Sequence, residues 1–242
     1  CCGEVVRSGE CVVGVVVVDG GTRPSVAGRD VAGEDAGGAQ GSNRLGGNGV
    51  ANSTVYGGIA GDVMAADAQK MSALHDPDET ILDEELARAI IPFSAKPGNV
   101  HELRVRLMDA MWDDVGVMRD AAGLKLGIEK IASLKTDMEN VGVSADNLAF
   151  NLSWHDWLSL QSLIDTSEVI AKAGLSRENS RGAHFREDFP DAGSLDDSYF
   201  TIATSGDKGI EVNREAVKFT IVKPGESLLG ADEAETLVEA AQ

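Results

Sequence analysis

The strongest structural signal in this sequence is a glycine-dense segment, residues 33–49, that runs directly into a stretch of small and apolar residues, 50–71. Glycine loses more conformational freedom on folding than any other residue, so this density indicates a backbone that turns tightly or approaches a neighbour closely. A helix start offers unpaired N–H groups and the positive end of the helix dipole. The segment therefore predicts either a binding loop for an electron-rich ligand or a glycine-rich surface loop before a packed helix.

The helix predicted after this loop carries small residues at every fourth position, namely Gly57, Gly61 and Ala65. Residues at this spacing share one face of a helix, so the face would let another backbone or a flat ligand come close. Core packing is the favoured interpretation of Gly61 and Ala65. Gly49 and Val50, at the helix start, are the better candidates for ligand contact.

Charge and hydropathy exclude several functional classes. The net charge is -19, and a phosphate-binding face needs clustered Lys and Arg, so nucleic acid is not a predicted partner. No apolar run approaches the roughly 20 residues that span a bilayer, so no transmembrane segment is predicted. All 3 cysteines lie within the first eleven positions, which argues against a disulfide framework and for a cytoplasmic setting.

The pattern along the chain changes near residues 75–98, where Pro92 and Pro97 predict a linker. Before the linker, residues 12–18 are β-branched and predict a strand. Asp78 is placed to cap a helix over residues 79–90.

A helical part follows the linker, over residues 99–185. Three segments carry apolar residues at three- and four-residue spacing and predict helices over 100–117, 123–141 and 153–175. Asn99 and Asp120 stand where N-terminal caps are expected. Such stripes are more often core than cofactor site, so we expect a bundle that buries Trp112, Trp154 and Trp157. The four histidines have no partners at metal-ligand spacing, so no metal site is predicted.

The tail, residues 186–242, is preceded by a crowded polar motif at 177–190, with three arginines, three acids and a histidine. Such a cluster fixes geometry more than it adds stability. A role for Arg181 and His184 in an active site or subunit contact is one interpretation. A structural network between the tail and the helical part is the favoured one. Strands are predicted at 199–204 and 216–222.

Three motifs, in this order and spacing, resemble the flavoprotein subunits of fumarate reductases and succinate dehydrogenases, to which L-aspartate oxidase is related. They are Gly33-Glu34, the sequence Gly-Ser-Asn-Arg-Leu-Gly-Gly-Asn at 41–48, and the sequence Asn-Ser-Arg-Gly-Ala-His-Phe-Arg-Glu-Asp-Phe-Pro at 179–190. Residues 111–119 also resemble the helical domain of the family. The resemblance begins at about residue 14 and corresponds to the C-terminal portion of these proteins, so the part that binds the ADP half of FAD is absent from this chain.

The resemblance implies roles for individual residues. Glu34 would contact the flavin, and Asn48, Gly49 and Val50 would contact its ring at the helix start, whose dipole would stabilise negative charge on the reduced cofactor. Arg44 would be the catalytic arginine that binds a carboxylate of the substrate, since a guanidinium matches a carboxylate with two parallel hydrogen bonds.

The fold class expected from the resemblance is α+β. Residues 1–74 would be the C-terminal part of an FAD-binding α/β domain, followed by the linker 75–98, a three-helix bundle domain at 99–185, and a β-containing tail at 186–242. The function implied is hydride transfer between FAD and a C4 dicarboxylate such as succinate or fumarate, with the chain alone incomplete for catalysis.

Two alternatives stay open at this point. The chain could be a non-catalytic helical module that docks a partner subunit, or part of an L-aspartate oxidase-like enzyme. The partners implied are the dicarboxylate and an iron–sulfur or other electron-transfer subunit. The location implied is cytoplasmic, or membrane-associated through partner subunits.

Overall fold

The structure, a computed structural model, describes residues 16–17, 30–33, 36–37, 46–73, 76–144, 147–206, 209–219, 222–224 and 226. Its helices are α1 (Asn48–Lys70), α2 (Glu79–Ile90), α3 (Val100–Asp113), α4 (Ala121–Glu139) and α5 (Leu152–Ser176). Its strands are β1 (Val16–Val17), β2 (Ala36–Gly37), β3 (Met118–Arg119), β4 (Phe185–Arg186), β5 (Tyr199–Gly206) and β6 (Gly209–Ala216). The expected α+β class is confirmed.

Helix α1 follows a left-handed residue, Gly47, whose φ of 83° suits glycine. Asn52 and Ala60 are its buried residues. A Cβ placed on Gly57 or Gly61 would meet nothing within 4 Å among the described residues. The backbone or ligand expected against this small-residue face is therefore not seen in the part of the chain that the structure describes.

Helix α2 begins as predicted, because the Asp78 side chain accepts a hydrogen bond of 2.9 Å from the Thr80 N–H. None of its residues is buried. Its C-terminal end is held to α5, since the Trp154 indole N–H donates to the Ala89 carbonyl at 2.7 Å. Phe93 packs edge-on against the same indole, with ring centroids 5.5 Å apart.

Helices α3, α4 and α5 pack around a common apolar core. Its members are Leu103, Leu107, Val115, Leu124, Ile131, Leu134, Met138, Val143, Trp157, Leu160, Ile164 and Ala171. The predicted caps form, because Asn99 accepts from the Glu102 N–H at 3.1 Å and Asp120 accepts from the Gly123 N–H at 2.7 Å. Burying these side chains at three- and four-residue spacing is what makes the helices stable together.

The three tryptophans differ in how deeply they are buried. Trp157 is buried, and its indole N–H donates to the Val141 carbonyl at 2.8 Å. Trp154 is half-buried against the end of α2. The prediction that Trp112 packs into the bundle is wrong, because its side chain is 81% exposed.

Helix α3 ends at Asp113, earlier than the predicted 117. The chain turns at Gly116, where a Cβ would lie 2.4 Å from the Trp112 carbonyl oxygen. Only glycine allows this approach. Gly174 lies in the last turn of α5 and packs against Leu124.

One strand pair joins the region after α3 to the region after α5, and a second forms a hairpin within the tail. Strand β3 pairs with β4 in parallel, and β5 pairs with β6 as an antiparallel hairpin. The predicted strand at 216–222 is wrong for the described residues, because the second hairpin strand is Gly209–Ala216 and residues 217–219 are not in a strand. In β6 the half-buried residues Ile210 and Val212 alternate with exposed ones. The sequence pattern favours the segment after β6 as the strand because that segment is more apolar.

The structure also bears on membrane insertion. Over the described ranges, none of the helices combines the length and the apolar character that a membrane span requires.

Candidate functional site

The glycine segment and the start of α1 meet at Gly33. The Asn52 side-chain amide, in the second turn of α1, donates to the Gly33 carbonyl at 2.8 Å, and both residues are buried. Gly33 has a φ of 88°, and a Cβ there would lie 2.9 Å from the Ser53 hydroxyl. We call Gly33, Asn52 and Ser53 the glycine corner. It fastens the chain just before Glu34 to the first part of α1.

The first turn of α1 carries three of the predicted site residues. Asn48 and Val50 are exposed and Gly49 is half-buried. The Val50 N–H donates to the Gly47 carbonyl at 3.2 Å. Among the described residues, no side chain caps this helix or accepts from its first N–H groups. An electron-rich group is the natural partner of such a terminus. The other two predicted residues, Glu34 and Arg44, lie outside the described residues.

A second polar cluster joins the tail to the helices, and we call Arg119, His184, Arg186 and Asp188 the arginine node. Arg119 and Arg186 are opposite each other in the parallel pair of β3 and β4. Each is only 1% exposed. Two buried guanidinium groups on neighbouring strands repel each other. Because both are also removed from water, nearby acceptors are needed to offset the cost of burying their donors.

Arg186 takes its acceptors from Asp188 and from the end of α5. Its Nε and Nη2 donate to the two carboxylate oxygens of Asp188, both at 2.7 Å. Its Nη1 donates to the carbonyls of Gly174, Leu175 and Arg177 at 3.0, 3.1 and 3.2 Å. These carbonyls form the negative end of the α5 dipole, which favours a cation. The side chain therefore serves as the C-terminal cap of α5.

Arg119 takes its acceptors from the turn that follows α3. Its Nε donates to the carbonyls of Val115 and Gly116 at 2.9 and 2.7 Å, and its Nη1 lies 3.0 Å from His184 Nδ1. Its Nη2 has no hydrogen-bond partner among the described residues. Burial, followed by the charge of Arg186, lowers the pKa of Arg119 to about 10.

The contact with Arg119 determines the tautomer of His184. A guanidinium can only donate, so Nδ1 must accept. The ring proton is therefore on Nε2, which donates to the Arg177 carbonyl at 3.2 Å. His184 is buried and connects Arg119 in β3 to the end of α5.

Arg181 binds the loop at residues 192–198. Its Nη1 donates to the Ser198 hydroxyl at 2.9 Å, and its Nε and Nη2 donate to the carbonyls of Ala192 and Ser194. A guanidinium has five donors in a fixed fork, so one side chain can organise a loop in this way.

Arg177 fixes the hairpin to α5. Its Nη1 donates to the Tyr199 carbonyl and the Thr201 hydroxyl, each at 3.2 Å. Its guanidinium lies 4.7 Å from the centre of the Tyr199 ring, and that of Arg214 lies 4.9 Å from the same ring. Burial lowers the pKa of Arg177.

These contacts show what the polar motif at 177–190 does in this structure. Its arginines and His184 bind backbone and side-chain groups of the chain itself, as in the structural network favoured from sequence. Sequence reasoning did not single out Arg119 and Asn52. The sequence signal for Arg119 is its position between an apolar run and the cap residue Asp120. The signal for Asn52 is that it is an amide early in a helix of small residues.

The ion pair in the arginine node predicts a pH dependence. The hydrogen bond from Arg186 lowers the pKa of Asp188 from its ordinary 3.8 to about 2. A carboxyl group with a lowered folded-state pKa contributes stability that is present above pH 3.8 and is lost as the pH falls through about 2. We expect Asp188→Asn to be less stable than the parent at pH 6 and to lose less stability between pH 4 and 2, measured by urea unfolding across this range. Equal pH slopes in both proteins would contradict the assignment.

Metal ligation has no visible basis in the described ranges. No group of three or more His, Cys, Asp and Glu side chains there could hold an ion.

Comparisons with known proteins relate this chain to fumarate reductase flavoproteins. A family model described as "Fumarate reductase flavoprotein C-term" matches residues 104–228. One fumarate reductase (CoM/CoB) subunit, from Methanothermobacter marburgensis, is 33% identical over 144 residues, which are 59% of this chain and 25% of that protein. The fumarate reductase flavoprotein subunit of Haemophilus influenzae is 28% identical over 186 residues, 76% of this chain and 31% of that protein.

Solved structures give the same relationship. The Mycobacterium smegmatis Sdh1 in complex with UQ1 is 29% identical and superimposes with a TM-score of 0.77 over 86% of this chain and 35% of that chain. The chain thus spans about a quarter to a third of the length of the curated relatives it matches.

Proposed function

The chain belongs to the fumarate reductase flavoprotein C-terminal family, whose model covers half of its residues, and on this premise we propose that it is the C-terminal portion of an FAD-dependent oxidoreductase. The complete protein would transfer hydride between flavin and a C4 dicarboxylate such as succinate or fumarate. Residues 1–74 would complete the FAD-binding domain, 99–185 would form the helical domain, and 186–242 would form the tail, with 75–98 as linker.

The glycine corner carries this proposal. The hydrogen bond from Asn52 to the Gly33 carbonyl ties the first residue of the glycine segment to α1. Glu34 follows Gly33 in the chain, and Asn48, Gly49 and Val50 form the first turn of the same helix. This supports a single site built from the two segments to which the family resemblance assigns flavin contact.

The residues present are suited to hold FAD. Gly33 and Gly47 both have positive φ, so the backbone bends without side chains at these positions. The first turn of α1 offers N–H donors and the positive end of a helix dipole, which favour an electron-rich ring edge. Bound FAD would supply the hydride chemistry, which no amino-acid side chain provides. Arg44 would bind and orient a substrate carboxylate with its planar fork.

A related candidate function is oxidation of L-aspartate. The L-aspartate oxidase of Yersinia pestis is 30% identical over 118 residues, 49% of this chain and 19% of that protein. Fumarate reduction and L-aspartate oxidation assays on the complete flavoprotein would separate the two. The proposed partner of the complete protein is an iron–sulfur or other electron-transfer subunit, through which it would associate with a membrane.

Flavin retention tests the proposed site. In the complete flavoprotein, we expect Val50→Asp to lower flavin affinity by about tenfold or more, because it places a negative charge beside the electron-rich ring that the start of α1 is proposed to bind. The measurement is the visible flavin absorption that remains after gel filtration at low concentration.

Helix α2 offers a matched control. Ile81 occupies the third position of α2, as Val50 does in α1, and the two side chains are 61% and 75% exposed. An acid in the first turn suits both helices, so Ile81→Asp should retain flavin. Wild-type flavin content in Val50→Asp would remove the start of α1 from the site.

A further inference from the structure

Helix α3 is apolar on two opposite sides. Leu103, Leu107 and Ala110 are buried in the bundle. Val105, Met108 and Trp112, which we call the outer stripe, are 41, 63 and 81% exposed. At 3.6 residues per turn the two sets are centred about 165° apart around the helix. A helix that is apolar on both sides is typical of one that is packed between two layers.

Two more exposed apolar residues come soon after α3 in the chain. Val117 and Met118 follow it and are 69 and 62% exposed. Single exposed apolar residues are ordinary, but a contiguous group that includes a tryptophan marks an interaction surface. Tryptophan is also among the residue types enriched at the centres of protein interfaces.

We propose that the outer stripe is covered by the upstream part of the same polypeptide, the part that would carry the rest of the FAD-binding domain. This inference rests on the proposed function. In the relatives, about three quarters of the length lies outside the region matched by this chain. The proposed complete protein therefore has the polypeptide needed to form a second layer over α3.

Charge specifies the chemistry of the covering surface. Asp109 and Asp113 are exposed along one edge of the outer stripe. The covering surface is therefore expected to have an apolar centre and basic side chains opposite these two acids. A second copy of this chain is a poor occupant, because each copy has a net charge of -19 and the two would repel each other.

Fluorescence quenching by neutral acrylamide tests the cover. Trp112→Phe, measured in parallel, isolates the signal of Trp112 from those of Trp154 and Trp157. In the chain of residues 1–242 alone, which we call the isolated chain, Trp112 should be quenched freely. In the complete flavoprotein, its quenching constant should fall at least threefold. Equal quenching in the two proteins would overturn the inference.

The same experiment separates the other occupants. If Trp112 becomes shielded in the isolated chain as its concentration rises, the occupant is a second copy. If it becomes shielded in the complete protein only after a separate subunit is added, the occupant is that subunit. Either result would overturn the inference. Flavin absorption recorded on the same sample reports the proposed function independently. Bound flavin with a freely quenched Trp112 contradicts only this inference. A shielded Trp112 without flavin supports it and contradicts the flavin site.

A variant pair provides a second readout. Trp112→Glu in the complete flavoprotein should speed amide hydrogen exchange in α3 at least tenfold, because it places a charge inside the proposed contact. It should leave exchange in the isolated chain unchanged. Leu126→Glu, at a 45% exposed position of α4, is the control and should change neither. Unchanged α3 exchange in the complete Trp112→Glu protein would overturn the inference.

Discussion

Replacement of Arg186 by alanine should lower the free energy of unfolding by about 3–5 kcal/mol, because it removes the buried donor of three backbone carbonyls at the end of α5. The Arg186 side chain is 1% exposed and satisfies Asp188 together with three carbonyls at the end of α5. The alanine variant leaves the three carbonyls without this donor, and each buried group left unsatisfied costs about 1–3 kcal/mol. Asp188 adds less to the loss, because its side chain is 31% exposed and water can solvate it. Urea unfolding followed by far-UV circular dichroism measures the change.

Arg106 provides the matched control. It also pairs with an aspartate, Asp137, at 2.7 Å, but both side chains are more than 40% exposed. An exposed ion pair contributes about 0–1 kcal/mol, so Arg106→Ala should be nearly as stable as the parent. Arg186→Lys should be intermediate, because an ammonium cannot reproduce the bidentate contact with Asp188. Similar losses for Arg186→Ala and Arg106→Ala would show that burial of the node contributes nothing.

Local sequence patterns predicted the helices well, because their causes are local. The caps at Asp78, Asn99 and Asp120 formed where a carboxylate or amide precedes an apolar period. The end of α3 was misjudged because the apolar period continues through Val115 and Val117. The helix ends because the chain turns at Gly116. The spacing of apolar residues does not reveal this turn.

The position of Trp112 shows a different limit. Periodicity reveals which residues share a face of a helix but does not reveal how many faces are packed. The sequence of α3 contains two apolar stripes, and each could have been the core-facing one. Only the packing against α4 and α5 shows that Leu103 and Leu107 face inward while Trp112 faces out.

The arginine node depends on contacts that are distant in the chain. Arg119 and His184 are 65 residues apart, and their pairing follows from the parallel register of β3 and β4. Strands of two residues give almost no sequence signal. The polar motif was therefore recognisable as a network from its composition, whereas its central member, Arg119, was not.

The candidate site was predictable only by resemblance. Composition indicated a glycine-rich loop before a helix, and the structure adds the bond from Asn52 to Gly33. The roles of Glu34 and Arg44 come from the family motif and remain predictions. The side chains of Asn48 and Val50 point to no chemistry by themselves, since a helix start acts through its backbone.

Arg44→Ala in the complete flavoprotein should lower kcat/KM for the dicarboxylate by about 10²- to 10⁴-fold. Two hydrogen bonds between charged groups contribute about 1.5–3 kcal/mol each, and each 1.36 kcal/mol corresponds to a factor of ten in rate. Flavin should stay bound, because the arginine is assigned to the substrate rather than to the cofactor. Steady-state assays with fumarate and succinate, together with the flavin spectrum, measure the two effects separately.

Two further variants show whether Arg44 acts through its fork. Arg44→Lys keeps the charge but loses the paired geometry, so its kcat/KM should lie between those of the parent and of Arg44→Ala. Arg88→Ala is the control, because Arg88 lies on α2 in an exposed pair with Glu85 and should leave turnover unchanged. Parent-like kcat/KM in Arg44→Ala would exclude it from the substrate site. Loss of flavin together with activity would instead assign Arg44 to the cofactor, because a residue that binds only the substrate has no contact through which its removal could release flavin.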